Sequence, residues 1–268
     1  VKRFLGVAIA IATLGAVSHA RAEPSEEISK ELRIWSGSNA LTVPRGRWEF
    51  GLFGASHYGL SDSVELSLHP LLVFALPHLE AKRMMPQGKR SALGLRARAS
   101  YPTTFLDIVS KEGQFGLLPA TSDPPAAFQL DGDVILSSEW FDGELASVWL
   151  GGTVALHESF TPMELPLLDF PFLYQRFAAL YGPGVLRIGF SFEGVIAGGL
   201  HYGTELESYL MPDLPDVSNA SAIENGLELE YRFSDHVALS AGLRTSYAKY
   251  PYGRRTHFLP YADVRTGF

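Results

Sequence analysis

No cysteine occurs anywhere in the 268 residues, which removes thiol catalysis, disulfide staples and Cys-based metal sites. There is no excess of positive charge either: 22 Lys+Arg stand against 29 Asp+Glu, for a net charge of −7. Nothing domain-wide is available to hold nucleic acid, so nucleic acid is not an expected partner. Beyond the first two dozen residues, charged or polar side chains interrupt every apolar segment before it reaches the ~20 residues of a membrane-spanning helix. HExxH, G-x-S-x-G and nucleotide-binding glycine patterns are missing. A non-enzymatic protein without cofactor or metal is expected.

The chain starts with Lys2 and Arg3, continues with an apolar run from Phe4 to about Val17, and then presents Ala20-Arg21-Ala22 before the acidic Glu23. A charged start, a short greasy core and an A-x-A site make a secretory signal peptide, with cleavage expected after Ala22. Residues 1–22 are read as the signal peptide and 23–268 as a single domain. Losing Lys2, Arg3 and Arg21 would leave 19 bases against 29 acids, a net charge near −10.

What the rest of the chain has is alternation of period two, which sends successive side chains to opposite faces of a sheet. In Leu227 to Phe233, Leu227, Leu229, Tyr231 and Phe233 take one face and Glu228, Glu230 and Arg232 the other. Leu186 to Glu193 and Leu200 to Leu210 repeat the pattern, as does Phe128 to Trp140, where Ile135 interrupts a polar set of Gln129, Asp131, Asp133, Ser137 and Glu139. From Trp48 to Tyr58 the outward set is expected to be Trp48, Phe50, Leu52, Gly54, Ser56 and Tyr58.

A soluble sandwich also alternates, but two features favour a transmembrane barrel. Many strands run ten residues or more, as a tilted bilayer-crossing strand requires. Connections also alternate between short (Ser61 to Ser63, Pro86 to Arg90, Asp142-Gly143, Ala197 to Gly199, Ser234 to His236) and long (Pro102 to Ala126, Glu158 to Gly184, Pro212 to Ala222). Twelve strands, within a range of 10–14, are expected near 32–43, 47–60, 64–71, 76–85, 91–101, 127–140, 145–157, 185–196, 200–211, 224–233, 237–249 and 256–268. The first rests on Leu32 to Trp35 and Leu41 to Val43, and is retained because an even count puts both ends of the barrel in the periplasm. The fold class is therefore an all-β, antiparallel, up-and-down barrel.

The signal-like start, the turn phrases Tyr58 to Leu66 and Tyr231 to Leu239, and a terminal strand ending on Phe268 with Phe258, Ala262 and Val264 on the same face resemble the Gram-negative outer-membrane β-barrel class. The order of "GLSDSVELSLHPLL" and the closing "YAKYPYGRRTHFLPYADVRTGF" is also similar to myxobacterial outer-membrane proteins. This resemblance implies integral placement in the outer membrane, contact with its lipid and lipopolysaccharide, and delivery by the barrel assembly machinery. It makes Phe268 the assembly signal, although Pro260 and Thr266 stand where apolar or aromatic residues are commoner. Pro260 is expected near the extracellular end beside an irregularity, away from the middle of the ladder.

If the apolar set faces lipid, the lumen receives Asp131, Asp133, Glu193, Glu205, Glu207, Glu228 and Glu230 together with Arg96, Arg98, Arg187, Arg232 and Arg244. Glu49, Glu65, Glu80, Glu139, Asp263, Lys82 and Arg265 join them. Cross-pairing that fills a narrow barrel is one reading; an acid-rich channel for cations is the other. Glu205, Glu207, Glu228 and Glu230 have the spacing to hold Ca²⁺, but the nearby arginines favour ion pairing. His157-Glu158-Ser159 at a loop mouth is a hydrolase candidate only if other segments converge on it. The aromatic loop Asp169 to Tyr181 suits an interfacial anchor, a plug or a ligand contact. The expected function is a narrow channel or transporter for small solutes, with a plugged structural barrel bearing functional loops, and an outer-membrane lipid hydrolase, as alternatives.

Overall fold

A computed structural model describes residues 30–110, 126–141, 143–157, 184–211, 221–250 and 253–268. Twelve antiparallel strands close into one barrel, each hydrogen-bonded to its neighbours in sequence. They are β1 (Trp48–Gly51), β2 (Ser56–Ser61), β3 (Val64–Leu68), β4 (His78–Pro86), β5 (Ser91–Ser100), β6 (Ala127–Phe141), β7 (Glu144–His157), β8 (Val185–Ala197), β9 (Leu200–Leu210), β10 (Ser221–Ser234), β11 (Val237–Tyr250) and β12 (Gly253–Gly267). β1 seals the cylinder against β12 through Glu49↔Gly267, Phe50↔Thr266 and Gly51↔Arg265. The expected all-β, antiparallel, up-and-down barrel is the observed one. The expected signal peptide and its boundary at residues 22 and 23 lie outside the described residues. No helix among the described residues is long and apolar enough to cross a membrane.

Alternation explains the faces. In β6 the odd-numbered residues from Ala127 to Glu139 are buried and point inward, while Val134 and Leu136 stand about half exposed on the outside. Leu186, Ile188 and Phe190 on β8, and Leu227, Leu229 and Tyr231 on β10, are likewise outward and exposed. Since charges occupy the inside and apolar groups the outside, this cylinder is inverted relative to a soluble domain. Tight turns gather at one end, between β2 and β3, β4 and β5, β6 and β7, β8 and β9, and β10 and β11. Gly143 (φ 83°) and Gly198 (φ 53°) sit in two of them, in the left-handed region that a tight hairpin demands. Outward aromatics crowd that end: Trp48 stacks on Tyr58 at 4.3 Å, Tyr231 meets Phe233 edge-on at 4.8 Å, and Trp140, Phe141 and Phe268 are exposed. Such a girdle matches the headgroup level of a bilayer.

The N-terminal part of the barrel departs from the expected layout in three respects. Residues 32–43 form no strand: after a one-turn helix, Lys30–Arg33, the chain runs inside the barrel, with Trp35, Asn39, Ala40, Leu41, Thr42 and Val43 all buried. The expected single strand 47–60 is a hairpin, β1 and β2, turning at residues 52–55. The amides of Phe53 and Gly54 at that turn bond the carboxylate of Asp263 at 2.8 and 3.0 Å, so only Trp48, Phe50 and Tyr58 keep their expected outward places on the ladder. β3 stops at Leu68 because Pro70 and a turn held by Val73 N–H to His69 O follow directly, where a strand to residue 71 was expected. The total of twelve survives because one strand is lost and another split.

Candidate functional site

The interior residues divide by height. Toward the tight-turn end, residues 32–43 form a plug, and the wall carboxylates receive its donors. Glu49 accepts from the Ser36 amide (2.7 Å), Glu65 from the Ser36 hydroxyl (2.7 Å) and the Val43 amide (2.9 Å). Glu205 accepts from Ser38 (2.6 Å), and Glu193 from the Asn39 side-chain amide (3.2 and 3.3 Å). Ser137 accepts from the Ala40 amide at 2.8 Å. An irregular segment in a lumen needs partners for its backbone groups, and these residues supply them.

Apolar packing reinforces the seat. Leu32, Ala40 and Leu41 cluster with Met84, Ala92, Ile135, Leu145 and Trp149, all from the wall. Ile135, the apolar interruption in the polar face of β6, is thereby explained: it is fully buried against the plug. Gly94 faces the plug so closely that a Cβ there would lie 2.9 Å from the Ala40 Cα, and a Cβ on Gly59 would run into the Pro44 carbonyl. Trp35 lies between Arg47 and Arg265, whose guanidinium carbons are 5.1 and 5.0 Å from its ring. At the plug's start, burial holds the Arg33 guanidinium below its ordinary pKa, opposed by the charge of Asp62.

Above the plug the wall pairs with itself. Asp133 joins Arg96 and Arg187, each at 2.7 Å, and Arg187 is almost wholly buried. Arg98 meets Glu80 at 2.5 Å. Asp131 accepts from Thr153 and, at 3.5 Å, from Gln129. Level with the plug, Glu230 bridges Arg232 and Arg265, both at 2.7 Å, and Arg265 continues to Glu49 at 2.9 Å. Lys82 lies 3.3 Å and His57 3.0 Å from Glu65. Arg244 stands over the Tyr261 ring at 5.8 Å, and Glu139 takes the Gly143 amide at the turn below.

The four carboxylates with Ca²⁺-like spacing go to separate protein donors. Glu205 takes Ser38, Glu207 takes Trp149 (3.1 Å) and Tyr209 (2.6 Å), Glu228 takes Tyr261 (2.6 Å), and Glu230 takes its arginines. No group of three or more metal-ligating side chains forms among the described residues. Of the hydrolase candidate, His157 ends β7 while Glu158 and Ser159 lie outside the described residues, as does the aromatic loop Asp169 to Tyr181. Phe268 ends the chain beside β1, exchanging backbone hydrogen bonds with Trp48 at 2.9 and 3.0 Å.

A cavity of about 460 Å³ remains above the plug, floored by Ser36, Gly37 and Ser38. Both signs of charge line it, with Glu80, Glu207 and Glu228 opposite or beside Arg96, Arg98 and Arg244. A volume in the range of small-molecule sites, roughly 300–1,000 Å³, combined with fixed polar groups, suits a small polar ligand. The plug is the functional element that its strand-like ends concealed. Its readable signal was Ser36-Gly37-Ser38-Asn39, four small or polar residues at the centre of a supposed strand.

No family model matches the chain, and no curated protein matches it. Similar solved structures include OmpT of Vibrio cholerae in its trimer form, at 11% identity over 80% of this chain and 64% of that one, with a TM-score of 0.45. A bacterial polysaccharide outer membrane secretin is similar at 9% identity over 85% and 77%, TM-score 0.45, and OccAB2 of Acinetobacter baumannii at 10% over 85% and 56%, TM-score 0.40. The chain thus spans just under two thirds of the V. cholerae protein. At these identities and TM-scores the likeness carries no argument about what the chain does.

Proposed function

We propose that this chain is an integral barrel of the bacterial outer membrane that admits a small polar solute to a vestibule, closed at the periplasmic end by its own residues 32–43. Membrane placement is supported by the apolar outer face, by the strands of ten to fifteen residues from β5 to β12 and by the aromatic girdle at the tight-turn end. Export fits residues 1–22 as a cleaved signal, so the protein recovered from outer membranes is expected to begin at Glu23; a start at Val1, or recovery from the cytosol, would contradict this.

The observation that carries the reading is the seating of the plug on Glu49, Glu65, Glu193, Glu205 and Ser137. Onward passage of a solute requires those bonds to exchange for others, which makes the protein a plugged transporter in preference to an open pore. Planar-bilayer conductance tests it. The parent protein is expected to be silent, and a variant lacking residues 34–43, folded by heat-modifiable mobility, to give steady ion-conducting steps. Steady steps from the parent would show that the plug does not close the lumen. Silence from a folded deletion variant would leave a filled scaffold with no solute path.

A further inference from the structure

The barrel wall is uneven in height. β1, β2 and β3 contain 4, 6 and 5 residues, whereas β6, β7, β10, β11 and β12 contain 14 or 15. A tilted strand needs roughly 9–11 residues to cross a bilayer, so the first three strands end part of the way across. β12 pairs with β1 only as far as Gly51↔Arg265, with a last backbone bond from Leu52 N–H to Val264 O at 3.2 Å. From Ala262 to Gly253, β12 is paired on its β11 side alone among the described residues. Phe268 and Val264 bond toward β1, and the same parity directs the backbone groups of Ala262, Phe258 and Thr256 into the gap. Pro260 shares that parity and has no N–H to leave unmet, which is the place for proline on an edge. It therefore sits within the continuous β11–β12 ladder, opposite Leu243, and not at the irregularity expected for it.

Residues bordering that gap line the cavity. Apart from Trp149, its apolar lining comes from Phe53, Ala55, Leu68 and Leu259, which belong to the low hairpin, the top of β3 and the stretch of β12 that pairs with β11 but not with β1. Outside, Leu52, Phe74 and Phe258 are exposed around it. Apolar side chains gather at the doorway, beside His69 and Asp263, and the interior is charged. Backbone amides on the open edge require polar partners or water, which hydrocarbon alone does not provide.

We propose that this gap is a lateral opening through which a zwitterionic amphiphile of the surrounding leaflet places its polar head in the cavity, leaving its hydrocarbon chain against the doorway. The proposal rests on the membrane-barrel reading above, and specifies what the vestibule takes and from which side. Arginines and carboxylates within one cavity match a head bearing both charges, and the gathering of Phe53, Ala55, Leu68 and Leu259 at the doorway matches a single tail leaving in one direction.

The absence of cysteine lets single positions be labelled cleanly. A bimane label would be placed at Leu259→Cys in the doorway, at Gly203→Cys facing the cavity on β9, where a Cβ meets nothing within 4 Å, and at Leu229→Cys on the outer face. In bilayers of phosphatidylcholine brominated on its acyl chains, the label at 259 is expected to be quenched about as strongly as that at 229 and several-fold more than that at 203. Quenching at 259 no stronger than at 203 overturns the lateral opening. Failure at 229 as well would overturn the membrane-barrel reading itself. With the parent protein in amphipol, lysophosphatidylcholine is expected to bind saturably and several-fold more tightly than glycerophosphocholine, and Leu259→Asp to weaken only the former. Equal binding of the two probes would mean that the vestibule takes a free polar solute, and the inference would fall while the proposed function stood.

Discussion

Two sets of carboxylates share the lumen and are satisfied in different ways. Asp133 and Glu80 are held by arginines of other strands, so they tie wall to wall. Glu193 and Glu205 are instead hydrogen-bonded by Asn39 and Ser38, so they tie wall to plug. Glu49 and Glu65 do both, through Arg265 and Lys82 on one side and Ser36 on the other. The comparison teaches that charge and direction in the barrel do not by themselves define a residue's work. An inward acid is a brace or a latch according to whether its donor can leave.

Severing a brace should be the most damaging change. Asp133→Ala leaves both Arg96 and the buried Arg187 without their shared counter-charge, and a loss of roughly 3–5 kcal/mol is expected in urea unfolding, with no gain in conductance. A lipid-facing change sets the scale against which interior effects are judged. Leu229→Arg should cost about 2–4 kcal/mol if it lies near the midplane, and Glu228→Gln on the opposite face far less; equal damage would mean that the faces are assigned wrongly. Opening the latches should separate function from stability. Glu193→Gln with Glu205→Gln is expected to cost only about 1 kcal/mol each, yet to produce intermittent conductance in bilayers where the parent is silent. Wholesale destabilisation by that pair would erase the distinction between brace and latch. The smallest effect on the finished barrel is expected from deleting Phe268, which should slow assembly in cells while leaving refolding in detergent nearly unchanged; equal yields by both routes would mean that Phe268 is not an assembly signal.

Most of the barrel was legible because lipid outside and polar lumen inside impose an unbroken period of two. β5 to β11 fall within three residues of their expected limits for that reason, and Gly143 and Gly198 mark turns in ordinary hairpin chemistry. The illegible part is where satisfaction comes from far away. No turn-forming pair such as Asn-Gly separates β1 from β2; the turn amides at Phe53 and Gly54 are bonded by Asp263, more than two hundred residues later. Residues 32–43 carry strand-like ends, Leu32 to Trp35 and Leu41 to Val43, but bond side chains on β3, β6, β8 and β9. Nor could pattern alone reveal the cavity or the low wall, since both depend on where the first three strands stop.

The plug also dictates an order of events. Ala40, Asn39 and Ser38 bond partners 97, 154 and 167 residues further along the chain. Those partners come from β6, β8 and β9, so no two-strand or four-strand precursor presents the complete seat. Closing loops of that length is entropically slow, and the reward arrives only once β9 has taken its place in the wall. Among the described residues, the segment synthesised first is therefore among the last to settle. Until then Trp35 and Leu41, both buried in the finished barrel, remain exposed apolar groups.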